Sequence, residues 1–166
     1  MSYPPPRYHG ESGEVSGQLR PADTTPEIAN ERAGSSAHYL ATAALTGGDF
    51  GLYRWNMGPA PSGPSPHFHR TMTESFFVLD GTISLYDGNG WRDATAGDFL
   101  FIPAGGLHGF RNESGSPASM LILFTPGAPR EAYFEGLARM AATGVRPSEE
   151  ELAAFYAEHD NIWVDR

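Results

Sequence analysis

The sequence of 166 residues contains no cysteine. Disulfides, thiolate metal ligands and thiol nucleophiles are therefore excluded, and any bound metal has to be held by nitrogen and oxygen atoms. The sequence also has no run of five or more basic residues, and 11 basic against 20 acidic residues give a net charge of −9. Because nucleic acids and anionic membrane surfaces attract positive charge, we expect neither of them as a partner.

Long apolar runs are missing as well. No segment approaches the roughly 18 apolar residues that a membrane-spanning helix needs. The first residues, MSYPPPRYHGESGEVSG, lack the charged-then-apolar layout of a signal peptide. These absences favour a cytoplasmic protein, and the length suits one domain with its own core.

Composition divides the chain into three regions. Residues 1–36 are rich in Pro, Gly and Ser and predict an extended N-terminal arm, either a disordered tail or a segment lying along the domain or a second subunit. Residues 37–125 contain short aromatic and β-branched segments separated by turn residues, which predicts an all-β sandwich or closed barrel. The first of these segments, HYLATAAL, reads as a strand. Because every candidate metal ligand lies beyond residue 60, we expect the arm to be dispensable for metal binding.

Residues 126–166 predict two short helices. APREAYFEGLARMAATG has apolar residues at helical spacing, with Gly144 as its stop. The second helix begins at Ser148, which stands in capping-box spacing with Glu151. We expect the apolar faces of these helices to pack against the outside of the barrel or a partner subunit, rather than to bind a ligand.

PHFHRTMTESFFVLDG places two histidines on one side of a strand. His67 and His69 are two residues apart, so their side chains project the same way. Glu74 has the opposite parity, so a turn or bulge at RTMT is needed to bring it to the same interior. From Glu74, the alternation carries Phe76 and Val78 inward. The outward set is Ser75, Phe77 and Leu79.

A third histidine makes a metal site the best interpretation. A lone His-x-His is more often a polar strand end, but His108 follows a strand and a sharp Pro-x-Gly turn and can face the other two. Three imidazoles and one carboxylate inside a barrel suit one divalent transition metal (Fe, Mn, Ni, Co or Zn), with positions open for water or substrate.

Two motifs resemble those of the cupins, a superfamily of small β-barrels. The first motif is a glycine, five residues, His-x-His, three or four residues, Glu, six residues and Gly. This sequence departs from it only at Pro61, which stands where the first glycine would be, and Gly63 is close by. The second is a glycine, five residues, Pro-x-Gly, two residues, His, three residues and Asn. The matching residues are His67, His69, Glu74 and Gly81 in the first motif, and Gly97, Pro103, Gly105, His108 and Asn112 in the second.

The resemblance implies a double-stranded β-helix (jelly-roll) barrel. It also implies that His67, His69, Glu74 and His108 are the metal ligands, as in quercetinase-like cupins with three histidines and one glutamate. In those cupins the glutamate resembles a general base, and an apolar pocket would raise its proton affinity, so Glu74 is the candidate catalytic residue. The superfamily also suggests a homodimer, for which the outward Phe77 and Leu79 are suited, although a monomer with the helices over that face fits equally.

Aromatic residues near the motifs predict an organic small-molecule substrate. The candidate substrate-binding residues are Phe76, Val78, Phe110, Tyr53 and Trp55, although the sequence leaves open which face of the strand holding the last two is inside. Arg54, Arg70 and Arg111 are the arginines expected near the site, and none is a dedicated interior cation for a small dianion. We expect a metal-dependent dioxygenase acting on an aromatic or enolic compound. The alternatives are an isomerase, cyclase or lyase using the metal as Lewis acid, and a non-catalytic metal- or ligand-binding module.

Overall fold

Antiparallel strands make up most of the regular secondary structure in this computed structural model, which describes residues 2–144 and 147–164. The elements are β1 Ile28–Asn30, β2 Ser35–Ala41, α1 Ala43–Thr46, β3 Gly51–Met57, β4 His67–Phe68, β5 Thr73–Asp80, β6 Thr82–Tyr86, β7 Trp91–Thr95, β8 Phe99–Ile102, β9 Gly109–Arg111, β10 Ala118–Thr125, α2 Arg130–Thr143, α3 Glu149–Glu158 and β11 Ile162–Trp163. The largest sheet has six strands in the order β1-β2-β3-β10-β5-β8, a second sheet has the order β7-β6-β9, and β11 pairs with β4.

The six-stranded and three-stranded sheets enclose a core of large apolar side chains. Strand β5 shows how the sequence forms it: Phe76 and Val78 are fully buried, whereas Phe77 and Leu79 are exposed, as the alternation predicts. Ser75 was expected to face outward with Phe77, yet it is buried. It lies in register between Phe101 and Leu123, whose longer side chains share its face and cover it.

Two boundaries differ from the sequence prediction near the N-terminus. The sheet begins at Ile28, because β1 pairs with β2, so the last part of the expected arm belongs to the barrel. The Glu27 carboxylate accepts hydrogen bonds from Tyr39 N at 2.8 Å and from Arg20 at 3.0 Å. These bonds attach the segment before β1 to strand β2. HYLATAAL is not one strand: β2 ends at Ala41, because the Thr42 hydroxyl caps the short helix α1 by accepting from Leu45 N.

The loop before β4 passes very close to β9. Gly63 has a φ of +138°, and a Cβ placed on it would lie 2.1 Å from the Phe110 carbonyl oxygen. Only glycine fits such an approach. The motif glycine is absent at Pro61, and two residues later the packing requires a glycine.

The two C-terminal helices form as expected, including the Ser148–Glu151 capping box. Their position corrects the expectation that they pack on the outside of the barrel. The ring of Phe134 in α2 lies 5.2 Å from those of Tyr53 and Trp55, and the Tyr53 hydroxyl donates to Glu131 at 2.6 Å. Since Tyr53 belongs to the core, α2 packs against the barrel's inner face. In the part of the chain that the structure describes, no helix is long and apolar enough to cross a membrane.

Candidate metal centre and cavity

Neighbouring strands bring the four predicted ligands together. His67 begins β4 and forms an antiparallel bridge with His108, each backbone N–H donating to the other's carbonyl at 2.9 Å. The His69 carbonyl accepts from Gly105 N at 2.7 Å in the Pro-x-Gly turn before His108. Glu74 lies in β5 with its side chain turned inward. The turn between His69 and β5 supplies the change of face that the parity argument requires.

The ligand atoms of these four residues lie within 4.8 Å of one another. Glu74 Oε2 is 3.0 Å from His69 Nε2 and 2.8 Å from His108 Nε2. Two atoms that each lie about 2.1 Å from a shared ion at right angles are about 3.0 Å apart, so this spacing suits a divalent metal. All four residues are almost completely buried, and the donor set of nitrogen and oxygen fits the metals expected from the sequence.

Backbone carbonyls fix the orientation of all three imidazoles. His67 Nδ1 lies 2.9 Å from Ser65 O, His108 Nδ1 lies 2.9 Å from Gly106 O, and His69 Nδ1 lies 2.5 Å from Asp160 O. A carbonyl only accepts hydrogen bonds, so each Nδ1 carries a proton and donates it. Each ring therefore directs Nε2 toward the centre of the cluster, as metal-binding histidines require.

The electrostatics of the cluster differ from the expectation for Glu74. Burial alone would raise the pKa of Glu74, but the charge and hydrogen bonds of His108 and His69 outweigh it and lower that pKa. Burial would likewise lower the pKa of His108, but Glu74 raises it. Burial, reinforced by His108, lowers the pKa of His67 to about 3. Glu74 is therefore ionised, and the raised proton affinity inferred from an apolar pocket is wrong for this arrangement.

The segment of residues 159–164, which we call the C-terminal segment, supports the ligands from outside the barrel motifs. The Asp160 carboxylate accepts hydrogen bonds from Arg70 N, from Thr71 N at 2.8 Å and from the Thr71 hydroxyl at 2.7 Å. Strand β11 pairs Trp163 with His67, and their rings lie 4.9 Å apart. Sequence reasoning missed this segment, because nothing local in EHDNIW points to partners some 90 residues earlier.

A cavity of about 510 Å³ opens from the cluster. His67 and Glu74 lie in its wall, and aromatic side chains from the barrel and the helices form much of the rest. The C-terminal helices thus line a cavity, whereas the sequence favoured a packing role for them over a ligand-binding one. The apolar and aromatic residues of the wall are Trp55, Met57, Phe110, Ile122, Phe124, Tyr133, Phe134, Leu137, Tyr156, Trp163 and Val164.

The five candidate substrate-binding residues fall into two groups. Trp55 and Phe110 line the cavity, where contact with a ligand stays a prediction. Tyr53, Phe76 and Val78 are fully buried in the core and are not part of the cavity wall. Alternation correctly identified Phe76 and Val78 as inward and left the face of Tyr53 open, but an inward side chain can fill the core instead of facing a ligand.

Arg130 is a buried cavity residue that the sequence interpretation missed. It lines the cavity and is only 3% exposed, so the protein does hold an interior cation. This cation is none of the three arginines considered from the sequence. Arg130 is the first residue of α2. A cation is unfavourable at a helix N-terminus, where the dipole favours anions. That unusual placement was the available signal that Arg130 has another role.

The fold and the buried three-histidine, one-glutamate cluster define a small metal-binding β-barrel. Residues 53–124 match the sequence profile of the cupin domain, and both cupin motifs lie on the cluster and its turns. The chain therefore contains a cupin domain.

Comparison with individual proteins agrees with this assignment. Quercetin 2,3-dioxygenase from Bacillus subtilis is 28% identical over 105 residues, which are 63% of this chain and 31% of that protein. The chain thus spans about a third of the length of this curated relative.

Solved structures share the fold. A predicted oxalate decarboxylase from Thermotoga maritima has a TM-score of 0.56 at 21% identity, covering 66% of this chain and 99% of that one. The polyketide cyclase RemF from Streptomyces resistomycificus has a TM-score of 0.55 at 23% identity, covering 68% and 81%. At these identities the likeness concerns the fold alone.

Proposed function

We propose that the protein is a metal-dependent dioxygenase that acts on an aromatic or enolic small molecule. The observation that carries this proposal is the position of the ligand cluster in the wall of a cavity of about 510 Å³ lined mainly by aromatic and aliphatic side chains. Such a cavity suits an organic compound rather than a small inorganic ion. The similarity to a quercetin 2,3-dioxygenase supports the oxygenase class.

His67, His69, Glu74 and His108 would hold the metal, each histidine through Nε2. A redox-active metal held there would supply a binding position for an enolic oxygen and a route for electrons from the substrate to O2. The aromatic wall orients the flat body of the substrate and excludes water. Glu74, ionised beside the substrate position, is the group placed to accept a proton from a substrate hydroxyl.

A second candidate is an isomerase, cyclase or lyase in which the metal acts only as a Lewis acid. The lowered pKa of Glu74 favours it, because a carboxylate with a low proton affinity is a weak base. In this case Glu74 serves as a ligand, and the substrate's carbonyl or enolate is polarised without oxygen.

Oxygen uptake separates the two candidates. The protein is loaded in turn with Fe(II), Mn(II), Co(II) and Ni(II), and consumption of O2 is measured with a panel of flavonols and β-diketones. The proposal expects uptake that depends on the metal and matches loss of substrate. A variant with His67→Ala and His108→Ala serves as the unloaded control. Conversion of a panel compound at the same rate without O2 would reject the dioxygenase and support the Lewis-acid candidate.

A further inference from the structure

The Arg130 guanidinium is a buried cation with no anionic partner in the described structure. Two of its hydrogen bonds go to neutral acceptors, His159 O at 2.7 Å and Asn161 Oδ1 at 2.9 Å. None of the ion pairs among residues 2–144 and 147–164 includes Arg130. A buried charge is costly unless it is paired, and the attraction of Glu74 and Asp160 reaches Arg130 only from beyond ion-pair distance, so direct contact with an anion would stabilise it further.

One donor of Arg130 is also unused. Within the described residues, Nε–H has no hydrogen-bond partner and is buried, although arginine presents its donors as a planar fork suited to a carboxylate. The two existing bonds hold the C-terminal segment. This structural role accounts for the two terminal nitrogens. The guanidinium also lies over the Tyr133 ring, 4.2 Å from its centre, while Nε–H has no hydrogen-bond partner among the described residues.

The position of Arg130 connects this unused donor with the metal cluster. The guanidinium carbon lies 5.1 Å from the centre of the Phe124 ring, and that ring lies 6.2 Å from the His69 ring. One aromatic side chain thus separates the cation from the ligand residues, and both border the same cavity. Glu74 attracts Arg130 from a distance, but Glu74 Oε2 lies against His69 and His108, and no carboxylate of the described residues forms an ion pair with Arg130.

We propose that Arg130 is the anion-binding residue of the cavity and that the ligand of this protein carries a carboxylate. The carboxylate pairs with the guanidinium where Arg130 borders the cavity. The apolar part of the ligand then lies along the aromatic wall toward the metal ligands. The inference rests on the proposed function in taking this ligand to be the substrate, and it narrows the substrate class to aromatic or enolic acids.

Binding of 2-naphthoate and of its neutral analogue 2-naphthamide tests the proposal without any turnover. Both affinities are measured by isothermal titration calorimetry on the full chain, with zinc bound and after metal removal. The parent protein is expected to prefer naphthoate in both states. Arg130→Gln should weaken naphthoate by about 10- to 100-fold, as for a lost charge-assisted hydrogen bond, and change naphthamide by less than about threefold.

Two further variants identify the cause of any loss. Arg130→Lys keeps the charge without the fork and should keep part of the preference for naphthoate. Arg54→Gln removes an exposed arginine of β3 and should change neither affinity. If Arg130 only holds the C-terminal segment, Arg130→Gln weakens both probes equally.

The proposal is overturned if the parent protein fails to bind naphthoate or binds both probes equally well. It is also overturned if the preference depends on zinc and survives Arg130→Gln, because the metal would then hold the carboxylate. None of these results involves oxygen. Failure of the dioxygenase proposal would therefore leave them intact, and failure here would leave that proposal standing for a neutral substrate.

Discussion

The motif region and the C-terminal region contribute to the same cavity in different ways. Residues 67–108 supply all four ligand side chains and the turns that orient them. The C-terminal region supplies Arg130, much of the aromatic wall and the carbonyl that orients His69. From this comparison we expect the barrel motifs to decide mainly whether a metal binds, and the C-terminal region to contribute mainly to what binds beside it.

The strongest test of this division removes ligands from the motif region. His67→Ala combined with His108→Ala should abolish metal binding almost completely, because two of four ligands are lost. The fold should persist, since the barrel has its own apolar core. Metal content after gentle purification is measured against a parent expected to carry close to one metal per chain. His9→Ala with His38→Ala is the matched control, and unchanged metal in the ligand variant would disprove the assignment.

Glu74→Gln separates the ligand role from the base role within the motif region. On a substrate found with the oxygen panel, loss of a general base should lower turnover per bound metal by about 100- to 10,000-fold. Metal occupancy should fall much less. Both are measured on one preparation, with exposed Glu135→Gln as control. Turnover per metal close to that of the parent would show that Glu74 is only a ligand, and the Lewis-acid candidate would move ahead.

Asp160→Ala tests whether the C-terminal region also reaches the metal. Its carboxylate fixes the backbone at Arg70 and Thr71, directly after His69, and loss of such support typically lowers metal affinity about 10- to 100-fold. A competition titration with a chelator measures the change. Glu158→Ala, an exposed acid just before the segment, should have no effect. Equal affinities for both variants would confine the metal site to the motif region.

Proton release on metal binding tests the electrostatics of the cluster. In the metal-free protein, Glu74 outweighs burial and raises the pKa of His108, whereas burial lowers the pKa of His67 to about 3. A metal at His108 Nε2 competes with a proton on that nitrogen, so metal affinity should rise with pH and binding should release protons to the buffer. Calorimetry in buffers of different ionisation enthalpy measures this release. Zero release would contradict the His108–Glu74 pairing.

The smallest effect on the site is expected from the outer face of β5 and β8. Phe77, Leu79, Phe99 and Phe101 are exposed there, and Phe77 is paired in register with Phe99. We expect this apolar surface to form a homodimer interface. Phe99→Ser with Phe101→Ser should shift the mass measured by light scattering from dimer to monomer without changing metal content. Val15→Ser with Leu19→Ser, also exposed, should not, and a monomeric parent would refute the expectation.

The sequence predicted the barrel and the metal ligands because both depend on local signals. Strand alternation grouped His67 with His69 and Glu74 with Phe76, an inferred turn at RTMT joined the two pairs, and fixed motif spacing brought in His108. Local patterns also gave the helices, through the stop at Gly144 and the cap at Ser148. They did not give the packing of those helices, because an amphipathic stripe does not identify the surface it covers. Arg130, Asp160 and β11 act through partners far along the chain, which spacing does not reveal.

The close approach at Gly63 has a consequence for how members of this superfamily are found. The constraint it satisfies belongs to a place in space, the gap beside the Phe110 carbonyl, and not to a fixed count of residues before the first histidine. A search pattern that insists on glycine at the position of Pro61 would reject this chain, although its four ligand side chains converge. Patterns built on the backbone contact would tolerate such a shift and would find divergent relatives that keep the four ligand side chains.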